Sequence, residues 1–251
     1  VESTDAAADA AKGHLTKSLE RAEAKGKIDS ASAVLDLIRV VTDLEDLADR
    51  DLVIEAIVED EEAKTELFKK LDAIVTSPDA ILASNTSSIP IMKLGVVPSR
   101  PDKVLGIHFF NPVPVLKLVE LVPSIVTSPE VTEQARAFVE GTLGKQAIDC
   151  QDRAGFVVNS LLIPFILSAI RMYESGFASA EDIDNGLVLG AAHPQGPLAL
   201  ADLIGLDTTK AVAESLYESK APLSAAPPLL NRMVDAGLLG RKTGRGFYTY
   251  N

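Results

Sequence analysis

The sequence predicts an α/β fold in two parts, a sheet covered by helices over residues 1–150 and helices alone over residues 151–251. Three observations predict it. Up to Cys150, short β-branched runs alternate with segments of helical periodicity, the pattern of a parallel sheet covered on both faces. After Cys150 the strand signals stop. The later apolar segments are long and are separated by Gly, Pro and Asp turns, so the boundary is expected near residues 149–153.

In order along the chain, Ser3, Thr4 and Asp5 offer N-caps for a helix rich in Ala, Lys and Glu that should run to about Lys25, before Gly26. Residues 51–58 form a β-branched run too short for a helix and read as a strand. Ala63, Leu67, Leu71 and Ile74 recur at helical spacing over residues 61–75. Residues 80–84 and 103–109 read as two further buried strands, and residues 115–122 as a strongly apolar run. Helices are expected over residues 156–175, 180–189, 198–217 and 228–236, and no internal repeat is visible.

Composition narrows the function. Hydrophobic content of 47% and charged content of 24% are those of an ordinary globular protein. Twenty-four basic against 36 acidic residues leave a net charge of −12, which argues against a general nucleic-acid or anionic-membrane surface. A single cysteine, Cys150, rules out an intramolecular disulfide and fits a reducing, cytoplasmic setting. The most apolar stretch, residues 156–170, is too short to span a bilayer and reads as a helix buried in protein. No signal peptide is visible, and no cluster suggests a metal.

Several residues could carry chemistry. Residues 84–88 (SNTSS) follow a strand end, where ligands of open parallel sheets bind; they could hydrogen-bond a ligand or cap the next helix. His108 is one of three histidines and ends a strand, which suits proton transfer but also describes a core histidine. Glu120 is the single carboxylate in an apolar run. Buried there it needs a partner, and His108 lies twelve residues earlier; an exposed edge or a pairing with Lys117 would also accommodate it. Asn159 is polar within residues 156–170 and either ties down backbone or faces a ligand. Lys17, Arg21 and Lys25, with Ser18 beside them, form the most coherent basic stripe, fit for phosphates or for solvent.

Six blocks, ASNTSS (83–88), GIHFFNPVP with KLVE (106–120), GFVVN (155–159), HPQGP (193–197) and GRKTGRGFY (240–248), occur in an order that resembles the 3-hydroxyacyl-CoA dehydrogenases, most closely the short-chain 3-hydroxybutyryl-CoA type. The resemblance implies a Rossmann-type NAD-binding domain and a helical substrate and dimerisation domain. It implies His108 as general base, Glu120 as its orienting partner, Ser87 on the reacting hydroxyl and Asn159 on the acyl portion. For NAD it implies Glu2 on the adenosine ribose, with Glu59, Lys64, Asn85, Asn111 and Lys242 near the cofactor. Glu2 favours NAD over NADP, because a carboxylate repels a 2′-phosphate. For the CoA part of an acyl-CoA substrate it implies Ser18, Lys25 and Ser87.

The glycine-rich G-x-G-x-x-G turn expected about 20 residues before Glu2 is not among the 251 residues, so the first β-α unit is expected to lie outside them. Without that central strand, two unpaired inner sheet edges are expected. The alternatives are a dehydrogenase of non-CoA hydroxy acids on the same scaffold and a catalytically silent relative. Residues 156–170 and 198–217 carry more apolar side chains than one buried face needs, so a homodimer through the helical part is expected, as in the family.

Overall fold

A computed structural model of the chain describes residues 1–218 and 225–250. Thr4 accepts from the Ala7 N–H and starts α1 (Asp5–Ala24), which packs on the short α2 (Ala31–Leu35) and buries only Ala8. Asp60 caps α3 (Glu61–Ile74) through the Ala63 N–H in the same local way.

Five strands form one sheet in the order β1 (Leu52–Glu55), β2 (Ile81–Ser84), β3 (Val104–Phe109), β4 (Leu118–Pro123) and β5 (Gln146–Asp149). β1, β2 and β3 are parallel, as are β4 and β5, but β3 and β4 are antiparallel. The sheet is thus mostly parallel, as expected from the sequence, with one antiparallel pair that was not expected. The segment 110–117 is too short for the crossover that a parallel pair requires, so the chain must turn back on itself. The edges of the described sheet are β1 and β5, and the Val1–Glu2 segment forms no strand in it; the Glu2 N–H donates instead to the Val41 carbonyl at 2.8 Å.

Alternate residues of the strands feed two cores. Phe68 and Leu71 of α3 pack with Leu82, Val104 and Val122 on one face, where α4 (Ile91–Gly95) adds Ile91 and Leu94. On the other face, Val131 and Ala135 of α5 (Pro129–Ala137) meet Leu105, Ile107 and Leu121.

From α6 (Val158–Glu174) onward the described chain is helical, with α7 (Ala180–Gly190), α8 (Pro197–Ile204), α9 (Leu206–Glu218) and α10 (Pro228–Asp235) around a core that includes Ile163, Ile166, Leu198 and Leu216. The single helix expected over 198–217 is two. Gly205, with φ of 104°, takes a conformation closed to L side chains and ends α8.

Apart from α9, the helix starts divide into two kinds. α1, α2, α3, α5 and α7 are capped by their own Thr4, Ser30, Asp60, Ser128 and Ser179. α4, α6, α8 and α10 begin at Pro90, Val157, Gly196 and Pro227, without a side-chain cap of their own. Their orphan N–H groups bond to distant carboxylates: Asp152 for α4, Glu120 for α6, Asp184 for α8 and Glu174 for α10.

Candidate active site

The antiparallel turn between β3 and β4 sets His108 directly opposite Glu120 in the ladder. Their side chains share one face, and His108 Nδ1 lies 2.7 Å from Glu120 Oε2. A carboxylate only accepts, so Nδ1 donates and the free lone pair sits on Nε2. His108 is 6% exposed, between the rings of Phe110 (centroids 4.6 Å apart) and Phe156 (5.5 Å). Glu120 is fully buried, and its second oxygen, Oε1, accepts from the Val157 and Val158 N–H groups at 3.0 and 2.9 Å. Neither an exposed strand edge nor Lys117 is involved. Such a pair can take a proton on Nε2 while the carboxylate holds the ring's tautomer and orientation.

A second polar cluster stands at the carboxyl ends of β1 and β2. Glu55 Oε1 accepts from Lys64 Nζ at 2.6 Å and from the Ile57 N–H, and its Oε2 accepts from Ser84 Oγ at 2.6 Å. Lys64 also reaches Glu59 at 3.3 Å. Glu59 Oε1 accepts from Thr86 Oγ1, Ser88 Oγ and the N–H groups of Ser87 and Ser88. Burial pushes the Glu59 carboxyl up, but the bonds from Thr86 and Ser88, the Lys64 charge and the Ser87 N–H outweigh it and hold the group below its ordinary 4.5. The SNTSS run thus folds as a turn on Glu59, with Thr86 Oγ1 also accepting from the Ile89 N–H.

Of the other sequence-predicted residues, Asn85 joins three strand ends: its N–H donates to Glu55 O and its Oδ1 accepts from the Phe109 N–H, both at 2.8 Å. Ser87 is half-buried and lines a cleft of about 860 Å³ with Glu59, Pro90, Lys93, Asp207 and Val212; His108 is not in that wall. Lys242 pairs with Asp207 at the start of α9, on the helical side of this cleft. Asn111 is exposed and precedes Pro112 through a cis peptide bond. Asn159 is half-buried in the first turn of α6, not sealed in a core. Ser18 on α1 and Lys25 at its C-cap are exposed, and no hydrogen bond among the described residues joins either to Ser87. Lys64, 1% exposed, is an interior strut under the Ser87 turn, ion-paired with Glu55. Cys150 is no nucleophile: burial, then the Glu120 and Asp149 charges, push its thiol up to about 12.

Asp152, Asp184 and Asp202 escaped the sequence reading. Asp202, 1% exposed, accepts from the Phe247 and Tyr248 N–H groups and the Tyr250 hydroxyl. Burial and this bond to Asp202 push the Tyr250 phenol up to about 12.

Residues 1–153 match the family description "3-hydroxyacyl-CoA dehydrogenase, NAD binding domain", and residues 155–250 match its C-terminal domain. The chain belongs to the 3-hydroxyacyl-CoA dehydrogenase family, as its motif blocks implied. A 3-hydroxybutyryl-CoA dehydrogenase of Mycobacterium tuberculosis is 55% identical over 99% of this chain and 88% of its own length. The crystal structure of M. tuberculosis FadB2 superposes with a TM-score of 0.97 at 55% identity, covering all of this chain and 89% of that one. The (S)-3-hydroxybutyryl-CoA dehydrogenase PaaH1 of Ralstonia eutropha gives 0.93 at 45% identity, over 100% and 89% of the two chains. The family is an NAD-binding one, and the residues present fit its cofactor at the strand ends. Asn85 and Ser87 stand on the turn after β2, beside the end of β3 that carries His108. No helix of the described residues is long and apolar enough to cross a membrane.

Proposed function

We propose that this chain interconverts (S)-3-hydroxybutyryl-CoA and acetoacetyl-CoA with NAD. The observation that carries the reading is the His108–Glu120 pair, enclosed by two aromatic rings at a carboxyl strand end. Bound NAD supplies the hydride acceptor. His108 Nε2 takes the proton of the 3-hydroxyl as the C3–H electron pair departs, and in the reverse direction returns it to the ketone oxygen. Glu120 stabilises the imidazolium and keeps Nε2 aimed at the substrate. Ser87 orients the hydroxyl from the turn that Glu59 orders, and Asn159 contacts the acyl portion from the first turn of α6. Glu2, Asn85, Asn111 and Lys242 serve the cofactor, and Ser18 with Lys25 the CoA nucleotide. On this reading residues 1–150 bind NAD and residues 151–251 bind substrate and a second copy, in the cytoplasm.

His108→Gln should lower turnover about 10²–10⁴-fold with the fold intact, the usual contribution of a positioned acid–base group. Turnover within a few-fold of the parent, at neutral pH and saturating substrate, would remove His108 from the mechanism. Lys25→Glu should raise KM for a CoA thioester far more than for a thioester lacking the nucleotide, with kcat unchanged; equal effects would refute the Lys25 contact and leave the α1 stripe a solvated face. The dimer is supported by exposed apolar side chains on the helical half, Leu161 at 70%, Phe177 at 79% and Leu189 at 81%. Sedimentation at micromolar protein should give twice the chain mass, and a monomer would refute it.

A further inference from the structure

The first turn of α6 touches the proton-transfer pair without contributing a side chain to it. The geometry points to this turn as a positioning element for that pair: the Val157 and Val158 N–H groups, aimed by the bend at Gly155 and Phe156, fix Glu120 and thereby tune how readily His108 accepts a proton. The inference deepens the reading of His108 as the base and rests on it.

Four observations support it. α6 has no side-chain cap, so its leading N–H groups need an acceptor, and Glu120 Oε1 is the acceptor they find, at 3.0 and 2.9 Å. The carboxylate is fully buried, so these two bonds and His108 are what compensate its loss of water. The bend is conformationally costly. Gly155 has φ of 79°, where an added Cβ would lie 2.6 Å from Leu216 Cδ2, and Phe156 has φ of 45°, a region a bulky side chain rarely occupies. The strain serves the site twice over: Phe156 packs its ring edgewise on His108, and the bend turns the next two N–H groups toward Glu120.

The electrostatic sign follows. Each N–H directs the positive end of a dipole at the pair, as the helix start does as a whole, and this opposes an added proton. Removing one donor should therefore raise the pair's proton affinity, whichever partner carries the proton. Other ionisable neighbours do not supply this effect. Cys150 stays neutral below about 12, Asp149 is ion-paired with Arg136, and the first turn of α6 carries no titratable side chain.

The test replaces valine at position 158 by its α-hydroxy acid, an amide-to-ester change that puts an oxygen in place of one N–H and leaves every side chain as it was. The titration of His108 is followed by NMR in the full chain without substrate, where only His14 and His193 share the spectrum. The midpoint should rise by about one pH unit, as expected for one lost bond to a charged group. The acid limb of kcat/KM should move up with it. Gly155→Ala, which must shift the start of α6, should move both in the same direction and lower kcat. An unmoved His108 midpoint in an ester protein whose α6 resonances are intact overturns the inference, as does a Gly155→Ala enzyme that is slower with an unchanged midpoint. A midpoint that rises while the activity limb stays fixed upholds the coupling and instead overturns His108 as the base.

Discussion

α1 and α6 are the two longest helices of the described chain, and they begin in opposite ways. α1 starts on its own Thr4, packs on α2 and leaves nearly every face to solvent. α6 starts on Val157, has no cap of its own, and takes a carboxylate from a strand 37 residues earlier. A helix with a local cap can form wherever its segment happens to lie. A helix that borrows its cap can complete its first turn only where the lender stands, so its position becomes part of the lender's environment. For α6 the lender is a member of the His108 pair, and the junction of the two halves is thereby built into the chemistry.

This contrast is open to measurement. The largest effect is expected at Asp184, which accepts from the Leu198 and Ala199 N–H groups and the Tyr248 hydroxyl. Asp184→Ala leaves three donors without an acceptor in a site where Asp184 is only 7% exposed. Urea denaturation should show a loss of about 3 kcal/mol or more. Asp152→Ala removes the acceptor of the Ile91 and Met92 N–H groups nearer the surface, and should cost about 1–2 kcal/mol. Thr4→Ala removes a local cap at an exposed position and should cost less than about 1 kcal/mol. Equal losses in all three would abolish the distinction between borrowed and local caps.

The smallest effect is a pH dependence at Glu59. Its pKa is lowered on folding, so its contribution is present above the ordinary 4.5 and disappears as pH falls through the folded value. The urea midpoint should fall as the pH drops below the ordinary 4.5, and fall less in Glu59→Gln. Identical slopes in the two proteins would mean that the Ser87 turn does not depend on the Glu59 charge.

The same contrast explains what was legible in the sequence. α1 was readable from its N-cap candidates and its Ala-, Lys- and Glu-rich run, and α3 from a 3.6-residue apolar period, because these signals lie within the segments themselves. The pairing of His108 with Glu120 was readable because a lone carboxylate in an apolar run demands a partner and few were available. The antiparallel ladder that sets the two face to face was not, because strand direction follows from the length of the connection, which periodicity does not encode. α4, with five residues and a cap contributed by Asp152, left no signal. The break at Gly205 was hidden because the apolar period continues across it. Lys64 could be placed near the cofactor by resemblance, but its enclosure beneath the turn depends on Glu55 and Ser84, contributed by two different strands.

Asp202 has a consequence for how the chain is made. Its backbone partners, Phe247 and Tyr248, are synthesised 45 and 46 residues after it, and the Tyr248 hydroxyl that completes Asp184 comes 64 residues later. While a ribosome is still adding the residues between, both carboxylates face a half-built core with some of their donors not yet in existence. The sheet can assemble as it emerges, since the last residue of its ladder is Asp149. The helical half must wait for Tyr250, so a nascent chain arrested after Asp202 should hold a folded sheet and an open bundle.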